Sequence, residues 1–223
     1  MREWVGKASH SPTLQTMNMN SPFSSSLSLE HQLNLIDKLQ LFKIQGRDKH
    51  GHNILRVIGK FFPARLVSSE AVNKYLEDRV FPNLDDEKPF SMVYIHTDVN
   101  RSENFPGIST LRSIYEAIPA QVKDNLEAVY FVHPGIQSRL FLATFGRFLF
   151  SGGLYQKLNY VIRMEFLWDY VKRSEIEIPE FVCEHDDELE YRPIMDYGIE
   201  SDHPTAITMV DSPLSIYSMR CIA

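Results

Sequence analysis

The sequence has little cysteine and no long apolar run. Cys183 and Cys221 are the only cysteines among 223 residues, too few for a disulfide framework and typical of a reducing compartment. The N-terminus lacks the apolar core of a signal peptide, and no run approaches the roughly 18 apolar residues that span a bilayer. These features predict a cytoplasmic protein. A chain of this length, with 43% hydrophobic residues, builds its core without disulfides or a structural metal.

Catalytic motifs are also missing. No segment matches a P-loop, a dinucleotide-binding glycine fingerprint, a G-x-S-x-G elbow or an H-E-x-x-H zinc helix. The sequence therefore predicts no enzyme activity, no catalytic residue and no cofactor. Two close pairs, His50 with His52 and Cys183 with His185, have shorter spacing than zinc ligands normally show. We interpret them as solvated side chains and expect no metal site.

His133 is the one histidine at a position where sites often occur. It follows a predicted buried strand, and open α/β sheets place their sites at the carboxyl ends of strands. Its own segment, however, supplies neither a nucleophile nor an acid. We therefore expect a hydrogen-bonded structural role for His133.

The formal net charge of −6 is unevenly distributed. Eleven acidic residues against one basic residue lie between Glu175 and Asp202, whereas the preceding chain has 21 basic and 17 acidic residues. Overall acidity argues against nucleic-acid binding, which depends on neutralising phosphates. The mildly basic body permits transient contact with an anionic membrane surface. The acidic stretch is either a surface that steers a basic partner or a solvated tail.

Apolar spacing predicts the order of elements. Residues 1–28 read as a flexible leader because 9–28 are rich in Ser, Asn, Met and Thr. An amphipathic helix starts at Leu29, and a hairpin pairs 41–45 with 53–58. Helices are then predicted at 69–79, 109–118, 137–150 and 165–173, and extended segments at 90–99, 126–133, 157–162 and 176–183. Alternating strands and helices indicate an α/β sheet. The predicted domain covers 29–183, followed by an acidic tail, 184–223, packed only at its start.

The helix predicted at 137–150 is apolar on nearly every side. Arg139 and Arg147 are its only charged residues, and at about 1.5 Å per residue it is too short to cross a membrane. Such a helix is either buried in the core or covers an acyl-sized pocket, with Gly152 and Gly153 as a hinge. Periodicity alone leaves both alternatives open.

Several segments together resemble the CRAL-TRIO lipid-binding family. They are QGRDKHGHNILRV, FSMVYIHTDV, LEAVYFVHPGIQSRLFLATFGRFLFSGGLYQKLNYV, EFLWDYV and EIEIPEFV. The similarity covers about 29–203 and is greatest to the divergent branch that includes BCH domains of Rho-regulating scaffold proteins. The members of that branch to which the match is closest carry a macrodomain ahead of this region, so the chain is expected to be a short form or a fragment.

The resemblance implies a mixed sheet flanked by helices, with an apolar gate helix. It implies non-catalytic binding, or transfer, of a lipid or other small hydrophobic ligand. The alternative that it implies is a BCH-type interaction module for small GTPases, for their regulators or for a second copy of the chain.

The resemblance also implies site residues. Gate or pocket positions fall on four phenylalanines, Phe141, Phe145, Phe148 and Phe150. The positions that hold an inositol headgroup in the family correspond to Asp124 and Lys157. A lysine ammonium neutralises a phosphodiester, and a carboxylate accepts hydrogen bonds from inositol hydroxyls. The alternative is that Lys157 is a solvated side chain at the start of a strand.

Overall fold

The fold is an α/β sheet flanked by helices. The computed structural model describes residues 27–84, 88–149 and 153–191. The strands are β1 Phe42–Arg47, β2 Asn53–Ile58, β3 Phe90–Ile95, β4 Leu126–Val132 and β5 Leu158–Val161. The helices are α1 Leu29–Lys38, α2 Ser69–Tyr75, α3 Ile108–Ala117, α4 Ala120–Asn125, α5 Ile136–Leu149, α6 Met164–Leu167 and α7 Glu180–Glu190.

The five strands form one mixed sheet in the order β1-β2-β3-β4-β5. β1 and β2 are an antiparallel hairpin, and β2 to β5 are parallel to one another. Parallel neighbours require crossover connections, which the helices between the strands supply. The predicted α/β fold with a mixed sheet is confirmed.

Both faces of the sheet are covered. Alternate residues of β2 point to opposite sides, so Leu55 and Val57 join one core cluster and Ile54 and Ile58 join the other. The first cluster includes Ile36 of α1 and Val72 of α2; the second includes side chains of α6 and α7. Coverage of both faces explains why β2 and β4 are almost continuously apolar.

The predicted extended segment at 176–183 is wrong. The structure instead contains α7, which begins after Pro179 and continues past position 183, where the domain was predicted to end. Ile176 and Ile178 alternate with Glu residues as in a strand, which suggested extended structure. Val182 and Leu189 lie almost two helical turns apart and are both buried. The helix is therefore held by packing of one apolar face.

Other boundaries differ by a few residues. Ser68, rather than Ser69, caps α2 by accepting the backbone N–H of Ala71, and the helix continues as a π-helical turn, Leu76–Val80. The helix predicted at 165–173 is only the short α6, because Val171 forms a bridge with Asp48 of the hairpin. Most of the predicted leader and the tail beyond 191 lie outside the described residues.

Candidate functional site

A cavity of about 230 Å³ lies between one face of the sheet and helices α3 and α5. Its walls come from three strands, two helices, the loop after β3 and the turn Leu154–Lys157. Most of the lining is apolar, as in small-molecule sites generally. The apolar lining residues include Met92, Val129, Phe131, Phe105, Leu111, Phe141, Leu142, Leu154 and Leu158.

The sheet supplies the floor of the cavity through strand alternation. Met92 and Tyr94 of β3 are two residues apart and therefore share a face. The register places Met92 opposite Val129 of β4, and Val129 opposite Leu158 of β5. The register thus sets a continuous apolar row across three strands.

Helix α5 supplies the roof. Phe141 and Leu142 line the cavity, whereas Leu140 and Phe145 are 61% and 55% exposed on the outer side. Gly146 lies close to the Tyr155 ring, since a Cβ added at this glycine would approach that ring to 3.1 Å. Beyond its first turn, which contributes Gln137 and Ser138, the helix is therefore apolar toward the cavity, and Leu140 and Phe145 are apolar side chains exposed to solvent.

The predicted gate phenylalanines occupy different positions. Phe141 lines the cavity, and Phe145 lies on the exposed side with its ring centroid 5.5 Å from that of Phe141. Phe150 and the side chain of Phe148 lie outside the described residues. The role of α5 as a gate stays a prediction.

The predicted headgroup pair lies away from the cavity lining. The Lys157 ammonium donates to the backbone carbonyls of Lys123 and Asp124, at 3.4 Å and 3.3 Å. The two residues are thus neighbours, but neither lines the cavity. A headgroup role for Asp124 and Lys157 stays a prediction.

The polar lining residues are few and lie on three segments. His96 follows β3 and is 7% exposed, and its Nε2 lies 2.9 Å from the Ser138 hydroxyl of α5. Burial lowers the pKa of His96 to about 4, so its ring is neutral at pH 7. Arg101 on the loop after β3 and Arg112 of α3 complete the charged lining.

His133 connects the sheet to α7. Its Nδ1 lies 2.8 Å from the Thr97 hydroxyl, which donates, and its Nε2 donates to the Asp186 carboxylate at 3.0 Å. Burial lowers the pKa of His133 to about 4, outweighing the opposite effect of Asp186. Thr97 is 1% exposed and His133 7%, so this hydroxyl–imidazole–carboxylate chain is closed to a substrate. Hydrogen bonding in the structure agrees with the expected structural role.

The structure does not bring the pair His50 and His52 together with the pair Cys183 and His185 as a metal site. The rings of His50 and His52 stack at 5.9 Å in the hairpin turn, whereas His185 of α7 packs at 5.0 Å against His133. Within residues 27–84, 88–149 and 153–191, no group of three His, Cys, Asp or Glu side chains is arranged to hold a metal ion. None of the described helices combines the length and hydropathy of a membrane-spanning segment.

Residues 51–188 match the family model described as "Divergent CRAL/TRIO domain". The match covers more than half of the chain, and the chain therefore belongs to the divergent CRAL/TRIO family. The resemblance predicted from the sequence is confirmed. CRAL-TRIO domains bind lipophilic small molecules and are generally binding or transfer modules without catalytic activity.

Curated relatives point to the same branch. The chain is 32% identical over 144 residues to ganglioside-induced differentiation-associated protein 2 of Xenopus tropicalis, covering 63% of this chain and 28% of the relative. It is 28% identical over 141 residues to Protein GDAP2 homolog of Drosophila melanogaster, with coverage of 63% and 25%. It is 28% identical over 150 residues to Rho GTPase-activating protein gacY of Dictyostelium discoideum, with coverage of 67% and 20%. The chain thus spans about a quarter of the length of these relatives.

Sequence reasoning missed the polar part of the cavity. Met92, Tyr94 and His96 alternate along one strand and its extension, a signal that would have placed His96 on the cavity face. Arg101 and Ser138 gave no such signal, because they reach the site from a loop and from a helix that the sheet brings together.

Proposed function

We propose that this chain binds one small lipophilic molecule, without catalysis, in the cavity beneath α5. The observation that carries the proposal is an apolar cavity of about 230 Å³ in a member of a family whose domains bind such molecules. Transfer of an apolar group from water into such a site contributes roughly 0.8 kcal/mol for each buried methylene. No chemical step is required for useful affinity.

The cavity size supports a small ligand. Sites for drug-sized molecules are commonly about 300–1,000 Å³, larger than the cavity present here. One acyl chain or a compact apolar molecule fits this volume better than a phospholipid with two chains. A larger lipid requires outward movement of α5, which is the gate role that we propose for this helix.

The outer side of α5 supports contact with a membrane during ligand uptake. Leu140 and Phe145 are both more than half exposed on a helix whose inner residues line the cavity. Apolar side chains at this position insert into the acyl boundary of a bilayer at lower cost than polar ones. This membrane contact belongs to the proposal of ligand transfer.

Ligand binding is tested by native mass spectrometry of the purified chain after incubation with single-chain lipids. We expect one bound molecule per chain, lost in Phe141→Asp because this substitution places a carboxylate in the cavity lining. Phe145→Asp is the matched control, since Phe145 faces outward and the same substitution leaves the lining unchanged. Circular dichroism verifies that both variants fold. Folded wild-type protein that never binds a lipid contradicts the proposal.

A second candidate is a protein-interaction module. It is supported by the relative named as a Rho GTPase-activating protein and by exposed acidic side chains on α7, such as Glu184 and Asp187. Acidic surfaces of this kind steer association with basic partners. Pull-down with a Rho-type GTPase should weaken in a Glu184→Ser, Asp187→Ser variant. Asp186 must be left intact, because it is bonded to His133 and Arg163.

A further inference from the structure

The lining of the cavity changes from apolar to polar along its length. At one end the row Met92, Val129 and Leu158 is wholly apolar. Four residues beyond Met92, His96 meets Ser138 in the first turn of α5, and their side chains form a hydrogen-bonding contact of 2.9 Å. A ligand that fits this gradient has an apolar chain and a polar end.

The charged residues that line the cavity are all positively charged. Arg101 and Arg112 line the cavity, and no described Asp or Glu does. Arg112 donates to Glu116 at 2.7 Å and is thereby partly neutralised. Arg101 is exposed and forms no ion pair with any described carboxylate. Its guanidinium is therefore a cation available to a ligand in the cavity.

The loop that carries Arg101 is anchored on both sides of this residue. Arg65 donates from Nη2 to the Ser102 carbonyl at 2.7 Å. On the other side, the Asn100 backbone N–H donates to the Asn104 side chain at 2.7 Å. The backbone of Arg101 is thus positioned before a ligand binds, which lowers the entropy lost on binding.

The start of α5 adds to the positive potential at the polar end. Pro134 and Gly135 precede this 14-residue helix, and neither carries a side chain that caps a helix. The helix dipole favours an anion at such a terminus. Independently, His96 lines the cavity at 7% exposure with no hydrogen-bond partner for its Nδ1 among the described residues. This atom is itself buried and does not face the cavity, so the polar character of the lining here comes from the contact between His96 Nε2 and the Ser138 hydroxyl.

We infer that the ligand is a single-chain amphiphile with an anionic head, and that the head lies against Arg101 at the start of α5. The chain then lies over Met92, Val129 and Leu158. The inference rests on the proposed ligand-binding function and specifies the chemical class of its ligand. A carboxylate and a phosphate monoester share the required chemistry, since arginine donates to both.

The test compares three probes that share a dodecyl chain: dodecanoate, dodecyl phosphate and 1-dodecanol, each below its aggregation limit and titrated by calorimetry. We expect at least one anion to bind about tenfold more tightly than the alcohol, as one charge-assisted hydrogen bond provides. The two anionic arms show whether a carboxylate or a phosphate is preferred. Arg101→Gln should remove the preference without weakening dodecanol binding. Arg79→Gln is the control, because Arg79 is an exposed arginine outside the cavity lining. This variant should retain the preference for the anionic probe.

The experiment distinguishes failure of the anionic-head inference from failure of the proposed ligand-binding function. Equal binding of all three probes, or an anion preference that survives Arg101→Gln, overturns the anionic-head inference and leaves the proposed function intact. Absence of binding for all three probes overturns both.

Discussion

The Asp186 carboxylate of α7 lies 3.0 Å from Nε2 of His133, the residue that follows β4. The same carboxylate accepts the backbone N–H of Met164 at 2.8 Å and the Arg163 guanidinium at 3.2 Å. Burial raises the pKa of Asp186, but the hydrogen bonds from Met164, His133 and Arg163 outweigh burial, and its pKa lies below the usual range. One carboxylate therefore joins α7 to β4 and to the start of α6.

Asp186→Asn should destabilise the protein by about 1–3 kcal/mol, because the amide cannot replace a charged acceptor for both Arg163 and His133. Urea denaturation measures the change. Asp187→Asn is the matched control, since Asp187 is exposed on the same helix and surface substitutions usually change stability by less than about 0.5 kcal/mol. Equal effects of the two substitutions contradict the assigned role of Asp186.

Acidification should destabilise the fold between pH 6.5 and about 4. Burial lowers the pKa of both His96 and His133 to about 4, whereas an unfolded histidine titrates near 6.5. In this interval the unfolded chain binds more protons, so the free energy of unfolding falls as the pH falls, by roughly a few kcal/mol in total. The contribution of Asp186 is lost only at lower pH, as its carboxylate is protonated below the usual carboxyl pKa.

The measurement is the free energy of unfolding in urea as a function of pH. His133→Asn should reduce the slope between pH 6.5 and 4 while leaving the contribution of His96. Asparagine is the suitable substitute because His133 has a φ of +51°, a conformation that asparagine adopts more readily than most residues. An unchanged slope would show that His133 is not protonated on unfolding in this interval.

Gly46→Ala should lower the free energy of unfolding by more than about 2 kcal/mol. Gly46 has a φ of +55°, and an added Cβ would lie 2.0 Å from the backbone carbonyl oxygen of Glu175, so the strand and the segment before α7 would have to separate. Gly51→Ala is the control: its φ is +88° but no atom lies within 4 Å of an added Cβ. For Gly51→Ala we therefore expect a loss of stability from the positive φ alone, roughly 1–2 kcal/mol. Thermal unfolding of both variants tests the difference.

Leu142→Trp should block ligand binding while leaving the fold intact. Leu142 lines the cavity on α5, and the larger indole occupies space that a ligand needs. Leu140→Trp is the control, since Leu140 is 61% exposed on the outer side of the same helix. Native mass spectrometry with a single-chain lipid reports the bound fraction. Retained binding in Leu142→Trp would place the ligand elsewhere.

Local patterns predicted most of the fold. The spacing of Leu29, Leu33 and Ile36 located α1, and the turn at Asp48 located the hairpin, because these signals depend on neighbouring residues. The pattern failed at α7. There the alternation of Ile176 and Ile178 favoured a strand, but Val182 and Leu189, almost two helical turns apart, are both buried, which favours a helix.

By itself, the sequence determined the α/β class, the apolar character of α5 and the absence of known catalytic motifs, because each depends on short-range spacing or composition. The family resemblance also pointed to Phe141, which lines the cavity and whose role in ligand binding stays a prediction. Only the tertiary structure brought His96, Arg101 and Ser138 into the lining of one cavity, and joined His133 to Thr97 and Asp186. These residues are far apart in the chain, and the parallel register of the strands determines which of them meet.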